Sequence, residues 1–435
     1  MNNTADPNLP LIEAARTFID NGQLAEAAAA LNQARAQIPS DPRVYMMAGL
    51  MSEKAGNIDG AFQLMQQGLT LAPEWAPGII VLAQLQARQG QFPEASDNAA
   101  YALELDPQSR IVIDGAIEVA HIAGALDVAV RHLRLGLGQQ PDDRKWRILL
   151  ATDLTELGEY NEALDVWRVL IDESPHDEHA LRGRMHALLA AGRLDEAATV
   201  TGKLLELSPG NPVYTYYDAR ARGETPAHQP PELNRALFDS AARVFDQRLQ
   251  SGLRYRLPHL TAQKILKKFP DRKLSLLDLG CGTGLLGAQL GKISGRMTGV
   301  DVSPNMLDQA RRLGVYDSLD VADLHETLRA TPPSSYDIVA ALDVCVYVGD
   351  LSEAIPASFT VLAPGGHLVF SCEIGADDGP DLYLDPLTER YVHKRSAVEA
   401  LCRASDFVIE TELTVLRYQK GKPVQGFVVW ARKPA

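Results

Sequence analysis

The pattern of apolar and polar positions changes rhythm once along this chain, near residue 274. Upstream it fits paired helices with a fixed period. Gly22, Gly56, Gly90, Gly124, Gly158 and Gly192 lie 34 residues apart. Five residues after each comes Ala27, Ala61, Ala95, Ala129, Ala163 or Ala197. Twelve residues further on sit Pro39, Pro73, Pro107, Pro141, Pro175 and Pro209. Downstream, short apolar runs alternate with helical stretches. LSLLDLG (274–280), RMTGVDV (296–302), LDVAD (319–323), YDIVAALDV (336–344) and GGHLVFSCE (365–373) read as strands. FVIETELTVLRY (407–418) and VQGFVVWARK (424–433) read as two closing strands.

The period has a direct physical reading. Glycine allows a tight turn between two helices, alanine lets those helices approach closely, and proline ends the second helix before the next unit. NGQLAEAAAALNQARAQIPSDP and LGEYNEALDVWRVLIDESPHD show the pattern, which resembles the tetratricopeptide repeat over about residues 8–209. Six repeats are expected, with NPVYTYYDARARG (211–223) as a closing helix. The resemblance implies a concave groove lined by the first helix of each unit. Its apolar positions would be Ile12, Met46, Leu50, Ile80 and Ile148. Two uses stay open: docking an apolar segment of a protein or peptide partner, or packing against the chain's own second domain.

ETPAHQPPEL (224–233) is Pro-rich and lacks helical periodicity, so the domain boundary is placed there. The expected organisation is a helical repeat domain over 1–223, a linker over 224–234 and a second domain over 235–435. That second domain opens with helices in NRALFDSAARVFDQRL and LPHLTAQKILKKF. Its alternation of strands and helices predicts an α/β doubly wound, Rossmann-like sheet with an antiparallel finish. SPNMLDQARRL is predicted to be a helix with Ser303 as N-cap and Pro304 at its first position.

The chemistry gathers where the first strand ends. In LLDLGCGTG, Gly280, Gly282 and Gly284 form a turn that leaves room for a ligand, and the next helix offers free N–H groups. Asp278 precedes the turn. Asp301 closes the second strand, where a carboxylate can accept from ribose hydroxyls. With Ala322-Asp323, Ala341-Leu342-Asp343 and LAPGG (362–366), this arrangement resembles the class I S-adenosylmethionine-dependent methyltransferases over about residues 235–433.

The resemblance implies roles. Gly280, Cys281, Gly282, Thr283 and Gly284, with Asp278 beneath them, would hold the methionine end of the donor. Asp301 would bind the ribose, and Val302 and Met306 would pack on the adenine. Asp323 would accept from the adenine amine beside Leu324. Asp343 would face the amino-acid end, and Tyr255 would close over the donor. For Asp323 and Asp343 a plain helix-capping role is the alternative. GTGLLG (282–287) also matches the nicotinamide fingerprint, which keeps an NAD-dependent oxidoreductase as an alternative, although that register leaves Asp278 and LAPGG without roles.

The acceptor is expected over the later strands, in IGADDGPDLYLDPLTERYVHKR. Tyr383, Arg390, Tyr391, His393 and Arg417 are its candidate polar groups, with His393 as a general base. Arg390 with His393 would instead suit an anionic acceptor, for which no base is needed. The chain lacks an Asn/Asp-Pro-Pro-Tyr/Phe motif after strand four and a Pro-Cys nucleophile, so nucleic-acid bases are poor acceptors.

Composition narrows the partners. The 435 residues carry a net charge of −14. Residues 1–223 hold 18 Lys and Arg against 30 Asp and Glu, which argues against nucleic acid. No apolar run approaches the length of a membrane span and MNNTADPNLP lacks a signal-peptide pattern, so a soluble, cytoplasmic protein is expected. The four cysteines have no CxxC spacing and suggest neither a metal site nor a disulfide framework. Three readings remain: a methyltransferase for a small molecule, one for a partner captured by the repeats, and a scaffold with a silent donor fold.

Overall fold

The structure, a computed structural model, describes residues 6–241, 255–386, 388–419 and 422–435. The chain divides into two compact units, Met1–Gly192 and Arg193–Ala435. The division falls inside the sixth repeat, so that repeat's second helix groups with the sheet.

The first unit is built of helix pairs: α1 (Leu9–Asp20) with α2 (Leu24–Gln37), α3 (Pro42–Lys54) with α4 (Ile58–Leu71), and α5 (Ala76–Arg88) with α6 (Phe92–Leu105). α7 (Arg110–Ile122) pairs with α8 (Leu126–Gln139) and α9 (Arg144–Leu157) with α10 (Tyr160–Glu173), before α11 (Glu178–Ala190). All six periodic glycines have φ between +69° and +84°, the left-handed region that glycine enters without a steric cost. All six periodic alanines are 0% exposed, as a close helix crossing requires. Asp41, Asp143 and Asp177 cap the helices that follow, each accepting from a backbone N–H of the first turn.

The expected apolar groove is corrected. Ile12, Met46 and Ile80 are buried within the repeats themselves, and Leu50 and Ile148 are half-buried. Met46 packs with Met65, Leu82 and Leu85, and a Cβ at Gly115 would collide with Ile80. The first helices are instead cross-linked by polar groups. Arg88 of α5 binds Glu53 of α3 at 2.7 and 2.9 Å, and Gln84 of α5 donates to Glu118 of α7 at 2.7 Å. The Trp146 indole of α9 donates to Asp114 of α7 at 2.6 Å.

The second unit begins with α12 (Leu194–Leu207), α13 (Pro212–Ala221), α14 (Pro231–Ala241) and α15 (Leu257–Lys268). The expected helix over 234–249 extends beyond the described residues. The sheet strands are β1 (Leu276–Leu279), β2 (Met297–Asp301), β3 (Ser318–Val321), β4 (Tyr336–Ala341) and β5 (Leu362–Ile374). They continue as β6 (Leu382–Leu384), β7 (Tyr391–His393), β8 (Val408–Gln419) and β9 (Lys422–Arg432). The first five lie parallel in the order β3-β2-β1-β4-β5, and β9 then runs antiparallel to β5, with β8 outside it. The β6–β7 hairpin, absent from the sequence reading, joins β5 at Glu373 and Ile374.

Between the strands lie α16 (Leu285–Leu290), α17 (Pro304–Arg312), α18 (Leu324–Ala330), α19 (Cys345–Val348), α20 (Ala354–Val361) and α21 (Arg395–Ala404). Side chains alternate across the sheet. Leu276, Ile338 and Ala340 enter the core on one face, and Leu277, Leu279 and Val339 the core on the other. Both faces are therefore buried, as a doubly wound parallel sheet demands. Among the described residues no helix is long and apolar enough to cross a membrane.

Candidate functional site

The carboxyl ends of β1, β2 and β4 open onto a cavity of about 200 Å³. Its floor is the turn after β1. Gly280, Gly282 and Gly284 take φ of +64°, +56° and +86°. A Cβ at Gly280 would lie 2.5 Å from Val344, so the turn admits no side chain there. Two carboxylates frame it. Asp301 is fixed by the backbone N–H groups of Gly282 and Ser303, each donating at 2.9 Å to a different oxygen. Burial raises its pKa, and those N–H groups oppose the rise. Asp278 is buried beneath the turn and accepts from the Tyr316 hydroxyl at 2.7 Å. Burial pushes its pKa up to about 7, with the Tyr316 hydrogen bond opposing and the Asp301 charge adding to the rise.

Met306, Val302, Asp323 and Leu324 line the adjoining wall with Cys281 and Thr283, and half-buried Tyr255 closes the far side. Asp323 does two things at once: it caps α18 by accepting from His325 N at 2.8 Å, and it faces the cavity. Gly284 does not line the cavity, but its bare Cα lets Leu313 and Tyr316 close over the turn. α14 also contributes. Phe238 and Asn234 line the cavity, while Asp239 accepts from the Ser303 hydroxyl at 2.5 Å and Arg235 donates to Val302 O at 2.9 Å.

The opposite wall carries a buried ion cluster. Asp343, two residues past the end of β4, has φ +59°, a strained conformation for a residue with a side chain. Its carboxylate binds Arg417, which also binds Glu373 and is 1% exposed. Arg417 reaches this point at a bulge in β8. Arg390 lines the same wall. Its guanidinium lies 3.3 Å from the Tyr347 hydroxyl and 3.6 Å from Glu373.

Three expected acceptor groups are corrected. His393 is 3% exposed and does not line the cavity; its Nε2 donates to Gly349 O at 2.6 Å, and burial lowers its pKa. Tyr391 is 0% exposed and donates to Pro226 O at 2.8 Å. Both alternate inward on β7, away from solvent and from the cavity. Tyr383 is exposed on β6 and outside the cavity as well.

Tyr391 reveals what residues 226–229 do. The stretch read as part of a linker runs as a strap along the sheet domain. Asp350 N donates to Ala227 O at 2.8 Å, and Gln229 Nε2 to Glu389 O at 2.6 Å. His228 Nδ1 donates to Val348 O at 2.6 Å, so His228 and Gln229 become cavity wall. Sequence reasoning missed these two, with Tyr316, Tyr347, Phe238 and Glu373. The signal for Tyr347 was its place one helical turn after Asp343. The strap gave only a histidine and a glutamine inside a Pro-rich run.

Parts of the chain are similar to known proteins. Residues 277–370 match the family model described as "Methyltransferase domain", and residues 12–74 and 148–212 match "Tetratricopeptide repeat". The chain is 35% identical over 161 residues to methyltransferase-like protein 27 of Homo sapiens, covering 34% of this chain and 62% of that protein. It is 30% identical over 100 residues to a ubiquinone biosynthesis O-methyltransferase of Serratia proteamaculans (strain 568), covering 22% of this chain and 42% of that one. The chain thus spans less than two thirds of the length of each of these relatives. Magnesium protoporphyrin IX methyltransferase from Synechocystis PCC 6803, solved with bound SAH, aligns with a TM-score of 0.38 and 18% identity, over 47% of this chain and 99% of that one.

Proposed function

We propose that this chain, which joins tetratricopeptide repeats to a methyltransferase domain, transfers a methyl group from S-adenosylmethionine to an oxygen, nitrogen or carboxylate acceptor. The observation that carries the reading is one cavity in which a side-chain-free turn, two buried carboxylates and a helix-capping acid meet an arginine-bearing wall. The donor's chemistry fits what is there. The turn has no space for a Cβ at Gly280, and each Asp301 oxygen, holding one backbone N–H, keeps a lone pair for a ribose hydroxyl. Asp278 lies where an ammonium group would be matched by a carboxylate, and Asp323 can accept from an adenine amine while it caps α18.

When bound, S-adenosylmethionine supplies a methyl group on a positively charged sulfur, already activated for in-line displacement. What remains for the protein is alignment and exclusion of water, effects that reach roughly 7–11 kcal/mol at best. The turn and Asp301 fix the donor's position. Arg417 holds Asp343 just past the end of β4, and the strap with α14 covers the cavity from above. In this reading the repeats dock a protein partner, through the polar ladder of Glu53, Arg88 and Glu118 rather than an apolar groove.

Calorimetric titration tests the reading. S-adenosylhomocysteine should bind with measurable heat and NADH should not; the reverse result overturns it in favour of an oxidoreductase. Asp301→Ala should weaken S-adenosylhomocysteine binding by about 1–3 kcal/mol, the range for losing hydrogen bonds to a charged group.

A further inference from the structure

Resting on the donor reading, we infer that the acceptor is a carboxylic acid with an apolar body, held by Arg390 against the Phe238–Tyr347 aromatic pair and methylated on its carboxylate.

The two arginines of the acceptor wall differ in what they already hold. Arg417 is committed: it bridges Asp343 and Glu373 and is nearly inaccessible. Arg390 is not. Its contacts are a tyrosine hydroxyl at 3.3 Å, a glutamine oxygen at 3.4 Å and a carboxylate already bound to Arg417 at 3.6 Å. These sit at or beyond the edge of hydrogen-bonding distance, where charge-assisted pairs run about 2.7–2.9 Å. A guanidinium with a planar fork, lining a cavity and paired only loosely with a carboxylate it shares with Arg417, matches an anionic oxygen group such as a carboxylate.

Shape points the same way. Phe238 and Tyr347 meet edge to face at 5.2 Å and 85°, and both line the cavity. Standing nearly perpendicular, they form an apolar corner beside Arg390, whose guanidinium stands 5.8 Å from the Tyr347 ring centre. An apolar body in that corner and an anionic group at the guanidinium satisfy both features.

The chemistry balances without a base. A carboxylate oxygen forms the new bond to the methyl carbon as the carbon–sulfur bond breaks. The bonding pair stays on sulfur as a neutral thioether, the product is a methyl ester, and no proton moves. Opposite charges cancel as the reaction proceeds, which a water-poor cavity favours. This explains why the buried His393, tied to Gly349 O, is not needed as a base. A neutral hydroxyl acceptor would instead need one, and the histidines that line the cavity are His228, whose Nδ1 is occupied by Val348 O, and His325.

The test is calorimetry on the full chain saturated with S-adenosylhomocysteine. Benzoate and 2-naphthoate are titrated against the matching amides, benzamide and 2-naphthamide, and against phenol and 2-naphthol. At least one acid should bind ten-fold or more tighter than its amide and its phenol. Arg390→Gln should abolish that preference and Arg390→Lys should restore part of it, both with S-adenosylhomocysteine affinity unchanged within two-fold. If neither acid is preferred, if a phenol wins, or if Arg390→Gln keeps the preference, the acceptor assignment is wrong while the donor reading stands. If S-adenosylhomocysteine itself fails to bind, the donor reading falls first and takes this one with it.

Discussion

At one end of the cavity, Asp278, Asp301 and Asp323 sit in parallel strands or at the start of the next helix, two of them fixed by backbone N–H groups of their own or the adjoining βα unit. At the other end, Arg390, Arg417 and Tyr347 come from a turn, a bulged antiparallel strand and a one-turn helix, and they hold each other by side chains. The donor end is local and is rebuilt wherever the strand–turn–helix pattern recurs. The acceptor end depends on distant segments arriving together. The comparison yields a clear expectation: damage to the acceptor wall costs fold stability, whereas damage to the donor end costs binding more than folding.

The largest effect should follow from breaking the buried cluster. Arg417→Met leaves Asp343 and Glu373 without their shared cation inside the protein, and such orphaned charges typically cost about 3–5 kcal/mol. Urea denaturation should show a loss of that size in the cooperative unit that contains β8. A loss below about 1 kcal/mol would mean the cluster is solvated and the acceptor wall far looser than described here.

A change at Asp278 should do the opposite to stability. Its pKa lies near 7 in the folded protein against about 3.8 for an ordinary aspartate, so between those values the folded state keeps a proton that the unfolded state releases. Stability therefore falls as pH rises from about 4 to 7, and the full penalty, about 4 kcal/mol, is present above pH 7. Asp278→Asn should remove the slope and be more stable than the parent at pH 8, while binding the donor less well. Donor binding to the parent near pH 6 should also release a proton, read from calorimetry in buffers of different ionisation heat. Equal pH profiles for parent and variant would place the titrating group elsewhere.

The same contrast explains what could be read from the chain beforehand. Gly280, Asp278, Asp301 and Asp323 were legible because a glycine turn needs positive φ, and because strand ends and helix starts are marked by their own neighbours. The repeats were legible for the same reason, with Ala27 and its five counterparts each forced into a helix crossing. Arg390 and Arg417 were legible as residue types, but not in their difference, since only the fold shows that Glu373 and Asp343 both go to Arg417. His393 and Tyr391 misled because a strand of three residues gives too little alternation to tell its inward face from its outward one. The groove failed similarly: helical spacing marks an apolar face but not whether Ile80 faces a partner or Gly115.

The smallest effect bears on the strap. Tyr391 holds Pro226 O by one hydrogen bond, and the strap continues into His228 and Gln229 of the cavity wall. Tyr391→Phe keeps the ring in its buried place and deletes that bond alone, which should cost about 0.5–1.5 kcal/mol of stability. The strap retains the bonds of Ala227, His228 and Gln229, so its position, and with it S-adenosylhomocysteine affinity, should change by less than two-fold. Denaturation and titration of the same preparation separate the two quantities. A binding loss that exceeds the stability loss would return Tyr391 to the working site, where the order of residues along the chain first suggested it belonged, and would make the two ends of the cavity more alike than their construction implies.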